Sequence, residues 1–144
     1  MNNGHESNRN CVKVLLADDA AVIRNSVSHL LEAEPAIKLV GVAESFSQTL
    51  QMAASMKPDV VLLDLHMPDG RAFDPAFVKS QLTLAGACVL GMSLSSGEDD
   101  EESRLLAETF GAVALLDKAE FGHQLIPEIL RLGASVAGLN PSAT

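Results

Sequence analysis

The chain has 144 residues, 47% of them hydrophobic, which is enough to bury one proper core and too little for a second folded domain. Ten Lys and Arg against 19 Asp and Glu give a formal net charge of -9, so no basic face suits a phosphate backbone and no direct nucleic-acid binding is expected. No apolar run is long enough to span a bilayer and the polar start Met1 to Asn10 has no signal-peptide core, which predicts no membrane partner and a cytoplasmic protein.

Residues 1–10 are polar, lack periodicity and are expected to form a disordered leader. Val12 to Ala17 reads as a first buried strand that ends on Asp18-Asp19. Ile23, Val27, Leu30 and Leu31 then recur at helical spacing, so the acidic pair lies between a strand end and a helix start. By itself, an N-cap is the commoner reason for an Asp there. Glu34-Pro35 ends this helix, and Ile37 to Val42 is a second, less apolar strand suited to a sheet edge. Ser45 and Gln48 form a capping-box pattern ahead of a helix with Phe46, Leu50, Ala53 and Ala54 on one face, stopped by Lys57-Pro58.

Val60-Val61-Leu62-Leu63 is a run buried on both faces that delivers Asp64 to its carboxyl end, ahead of His66-Met67-Pro68-Asp69-Gly70. An isolated Asp there more often caps a turn. Asp74-Pro75 supplies an N-cap and a first-turn proline for a helix to about Leu82. Ala87 to Met92 is a fourth strand ending at Ser93. The five acids Glu98 to Glu102 suit the start of the next helix, with Leu106 and Phe110 inward and Gly111 closing it. Val113 to Leu116 is the fifth strand, ending in Asp117-Lys118. A last helix tolerates Pro127 only in its first turn and runs to about Gly133, leaving 134–144 as helix end and tail.

Five alternations of strand and helix predict an α/β fold: a doubly wound, five-stranded parallel sheet with helices on both faces and its site at the strand carboxyl ends. Asp18, Asp19, Asp64, Ser93 and Lys118 all fall on that edge. Capping explains each alone and explains their coincidence poorly. Converging carboxylates repel unless a hard divalent cation sits among them, and an all-oxygen site suits Mg²⁺. Such a site could let a carboxylate attack phosphorus, with Asp64 as the most central nucleophile. Lys118 could then neutralise a phosphoryl oxygen and Ser93 could hydrogen-bond another. Cys11 and Cys88 have no metal-ligand spacing and read as small core hydrophobes. His5, His29 and His123 do not converge on a zinc site.

Leu15-Leu16-Ala17-Asp18-Asp19, Leu62 to Pro68, Met92-Ser93 and Gly111 through Lys118 together resemble, in order, the motifs of the receiver domain of two-component response regulators. The nearest flavour is the receivers of helix-turn-helix regulators, although nothing follows the receiver here, so a stand-alone domain over 11–133 is expected. The resemblance implies flavodoxin-like topology, Asp64 as phosphoacceptor, Asp19 as a direct Mg²⁺ ligand and Asp18 acting on the metal through water. It implies His66 as a ligand through its backbone carbonyl, Ser93 as the switch hydroxyl and Lys118 as its cationic partner. It also implies a histidine kinase or phosphotransfer protein as donor, an unnamed downstream protein, and a switching face formed by helix four, strand five and helix five, where a homodimer could form.

Four positions depart from the family pattern. Leu94 stands where a small residue usually gives the phosphoryl group access, which predicts slow phosphotransfer; Leu115 replaces the switch aromatic, and Ala119 replaces the usual proline after the lysine. Gly70 arrives about two residues early, which predicts a differently shaped loop. Two other roles compete: a rarely phosphorylated receiver acting as a scaffold or dimer, and a small aspartyl-phosphate phosphatase. The phosphatase lacks support because His66 stands where its second carboxylate would be needed. On the leading expectation the chain is no enzyme beyond its own phosphorylation and dephosphorylation.

Overall fold

The computed structural model describes residues 11–94, 100–119 and 121–136. The expected leader, Glu98 and Asp99 of the acidic run, and the tail from 137 lie outside the described residues. In chain order the elements are β1 (Val12–Ala17), α1 (Ala21–Glu32), β2 (Ile37–Ala43), α2 (Phe46–Met56), β3 (Val60–Asp64), a 3-10 helix (Pro68–Ala72) and α3 (Pro75–Leu84). β4 (Cys88–Ser93), α4 (Asp100–Thr109), β5 (Ala112–Asp117), a short 3-10 turn (Phe121–His123) and α5 (Leu125–Val136) follow.

All strand pairs are parallel, in the order β2-β1-β3-β4-β5. That order follows from burial. β3 is buried at every position and sits at the centre, whereas β2 and β5 carry exposed residues and take the edges. Strand side chains alternate between two cores. Val14, Leu16, Leu62 and Met92 face α1 and α5, packing on Val27, Leu31, Leu125 and Ile129. Leu15, Ala17, Val61 and Leu63 face α2, α3 and α4, packing on Phe46, Ala53, Val78, Leu82 and Phe110. The Phe46 and Phe110 rings stack at 5.2 Å and tie α2 to the turn that follows α4. Along β5 the register slips by one residue, with Val89 opposite Ala112 and Leu90 opposite Ala114, and the skipped Val113 is turned out to 56% exposure.

The local signals work as the chemistry demands. Ser45 Oγ accepts from the Gln48 N–H at 3.1 Å, but Gln48 Oε1 takes the Glu44 N–H at 2.7 Å, one residue further back than in the usual box. Asp74 Oδ1 accepts from the Ala76 N–H at 3.2 Å, and α3 runs on to Leu84. Pro127 falls in the first turn of α5, which continues three residues past Gly133. Gly111 takes φ +83°, the left-handed conformation that ends α4, with its N–H donating to the Glu108 carbonyl. Cys11 and Cys88 are free and half-buried; burial pushes the Cys88 thiol up, as suits a packing residue. Among the described residues no helix is long and apolar enough to cross a membrane.

Candidate functional site

β1 and β3 are adjacent and in register, so their ends bring Asp18 and Asp64 together over the middle of the sheet. Asp18 is wholly buried and Asp64 is 2% exposed, while Asp19 is open to solvent. Carboxylate oxygens of all three lie within 4.8 Å of one another. β4 and β5 complete the edge: the Lys118 N–H donates to the Ser93 carbonyl at 2.9 Å, continuing the ladder and aiming the lysine back across the sheet. Its Nζ stands 2.7 Å from Asp18 Oδ2 and 3.3 Å from Asp64 Oδ1.

Turn formation and site formation are the same event here. Asp18 Oδ1 accepts from the Ala20 N–H, Asp64 Oδ1 from the His66 N–H and Asp117 Oδ1 from the Ala119 N–H, at 2.9, 3.0 and 2.9 Å. Three strands thus end in the same aspartate turn. Capping and display are not alternatives, since one oxygen shapes the loop and the carboxyl group still faces the site. The N-cap of α1 is Ala20, which has no side chain to cap with, so neither Asp18 nor Asp19 has that role.

Burial pushes the Asp64 carboxyl up to about 6; the His66 amide and Lys118 pull it down, and Asp18 and Asp19 push it up again. Burial works against the Lys118 ammonium, but the close Asp18 carboxylate and the charge of Asp64 outweigh that and raise its pKa. Three carboxylates against one ammonium leave negative charge uncompensated within the cluster. Lys118 pairs with Asp18 Oδ2 by distance, yet among the described residues no hydrogen-bond donor is aligned on that buried oxygen. An all-oxygen cluster with spare lone pairs and excess charge fits a hard divalent cation such as Mg²⁺.

His66 is exposed at the site's rim. Leu94 points outward at 67% exposure. Leu115 is half-buried against the second core, in a space that exists because Gly91 has no side chain: a Cβ there would meet Leu115 Cδ1 at 3.3 Å. No peptide bond is cis among the described residues, in keeping with Ala119. The early Gly70 reshapes the loop after β3 into a 3-10 helix whose Gly70 backbone lies over the Phe46 ring.

Three contributors carry no sequence signal used above. Asp69 accepts from the Phe46 and Ser47 N–H groups at 2.9 and 3.1 Å, capping α2 from a loop more than 20 residues away and pinning the segment that bears His66. Arg24 donates to the Asp18 carbonyl at 2.9 Å and pairs with Glu44 at 3.6 Å, bracing the first acidic loop. Ser103, 3% exposed, stands 3.0 Å from Ser93, oxygen to oxygen. Ser103 had a legible signal: it precedes Ala107 and Phe110 at helical spacing, a polar residue on an inward face.

The response regulator receiver domain family matches residues 14–129. A protein-glutamate methylesterase/protein-glutamine glutaminase of Syntrophus aciditrophicus is 30% identical over 107 residues, 74% of this chain and 30% of that protein. The chain spans about a third or less of the length of the curated relatives it matches. Among solved structures, the signal receiver domain of NarL from Mycobacterium tuberculosis is 25% identical with a TM-score of 0.72, covering 85% of this chain and 96% of its own. The response regulator domain of Thermotoga maritima CheB is 25% identical with a TM-score of 0.68, covering 89% and 97%. With the sheet order, the acidic cluster and the lysine all in hand, the chain belongs to the response regulator receiver domain family.

Proposed function

We propose that Asp64 accepts a phosphoryl group from a phosphohistidine of a histidine kinase or phosphotransfer protein, in the cytoplasm, and so switches a protein-binding face. One observation carries this: a buried carboxylate at the sheet centre with two further carboxylates within 4.8 Å and an ammonium 3.3 Å away. Asp18, Asp19, Asp64 and the His66 main-chain carbonyl would hold Mg²⁺. When bound, that ion would shield the charge between carboxylate and incoming phosphoryl group.

The chain's own residues do the rest. Without the cation Asp64 is ionised and able to attack above a pH of about 6, and a bound cation would favour the carboxylate further. A bond forms between its oxygen and phosphorus as the bond from phosphorus to the donor's imidazole nitrogen breaks, and that nitrogen keeps the electron pair. Lys118 shifts from the carboxylates toward a phosphoryl oxygen, and the Ser93 hydroxyl donates to another. The output face is α4, β5 and α5, where Leu105 and Val113 are 60% and 56% exposed. That face would take the downstream protein or a second copy.

The test is intact-protein mass after incubation with a small phosphodonor and Mg²⁺, beside Asp64→Asn and an EDTA control. A gain of one phosphoryl group that needs both Asp64 and the metal supports the assignment. No gain in folded protein, repeated with a phosphohistidine donor, rejects it in favour of a constitutive scaffold.

A further inference from the structure

Ser93 and Ser103 form a buried hydroxyl pair of which only Ser93 has a part in the phosphoryl transfer proposed at Asp64. Ser93 is 1% exposed, Ser103 is 3% exposed, and their oxygens are 3.0 Å apart. Ser93 ends β4 beside Asp117, at the site edge, while Ser103 lies on the inward face of α4. The pair is therefore a direct polar link from the site to the helix bearing Leu105. The other route across this face, through β5, is aliphatic: Leu115 has no hydroxyl and rests over Gly91.

We propose that Ser103 is a positioning residue that holds the Ser93 hydroxyl against α4 before phosphorylation, so that a phosphoryl oxygen at Asp64 must compete with Ser103 for it. This rests on the phosphoacceptor role proposed above. To reach a phosphoryl oxygen the Ser93 hydroxyl has to turn away from α4, which breaks the 3.0 Å contact whichever of the two oxygens is its donor. Ser103 is then a buried hydroxyl short of a partner, which is costly unless α4 moves to rehydrate or repair it. Occupancy of the site is in this way felt on the outward face of the same helix.

The test is a double-mutant cycle on the affinity for beryllofluoride, a phosphoryl mimic, in saturating Mg²⁺ by calorimetry; the chain has no Trp or Tyr for fluorescence. Ser103→Ala frees Ser93 and should tighten binding about five-fold, the worth of one hydrogen bond. In the Ser93→Ala background the same change should do nothing, and Ser103→Thr, which keeps the hydroxyl, should bind like the wild type. If the alanine variant does not fold, Ser103→Cys, of similar volume and a weak donor, is held to the same comparison. Unchanged or weaker binding in Ser103→Ala overturns the inference, as does a five-fold effect that persists without Ser93. Wild-type protein that binds no better than Asp64→Asn overturns the phosphoacceptor role itself and this inference with it.

Discussion

Replacing Asp64 by Asn should make the metal-free protein more stable at pH 8 and change it little below pH 4. Burial raises the Asp64 carboxyl from 3.8 to about 6, so between those values the folded chain holds a proton that the unfolded chain has released. Stability therefore falls as pH rises through that window, and the full penalty, ~3 kcal/mol, is present above about pH 6. Asn resembles the neutral carboxyl and its carbonyl oxygen can keep the His66 amide bond, 3.0 Å in the parent. The variant should gain ~3 kcal/mol at pH 8, about 10 °C in Tm for a chain of this size. Urea and thermal melts in EDTA, from pH 4 to pH 8, measure it. Saturating Mg²⁺ should shrink the gap, because the ion supplies the counter-charge that the variant no longer needs. Parallel stability curves across pH, or a variant less stable at pH 8, would refute the reasoning.

Lys118→Ala should act in the opposite direction, because it strips the ammonium from two carboxylates that are 0% and 2% exposed. A loss of ~2 kcal/mol at pH 8 is expected, reduced from the cost of breaking a fully buried pair because Asp19 opens the site to water; urea melts at pH 5 should show a smaller loss. Asp69→Ala removes two hydrogen bonds to the start of α2 and should cost ~1 kcal/mol, with faster amide exchange at Phe46 and Ser47 as the local readout. Gly133→Ala should cost ~2 kcal/mol by overpacking, since a Cβ there would collide with the Val12 side chain, and a lowered Tm with unchanged Mg²⁺ affinity would place the damage at the α5–β1 contact and away from the site.

How much was legible follows from the range of each interaction. The edge position of β2 could be read because it is less apolar than β1, whereas the full strand order came with the family resemblance. The Asp74 cap, the Gly111 stop and the first-turn Pro127 were legible because a few adjacent residues decide each of them. The Leu94 and Leu115 departures were visible as letters, but their consequences were not: Leu94 turns outward, and Leu115 fills space left by Gly91 on the neighbouring strand.

The residue pattern by itself determined which side chains reach the sheet's working edge, because strand periodicity and aspartate turns are short-range and survive any detail of packing. Only the tertiary structure decided what those side chains meet. Lys118 pairs with Asp18 at 2.7 Å, Asp69 caps a helix more than 20 residues away, and Ser93 pairs with Ser103 of α4. Each joins segments distant in the chain. Their partners depend on how two cores settle helices against one sheet to within an ångström, a sum of many side-chain volumes that no local spacing records.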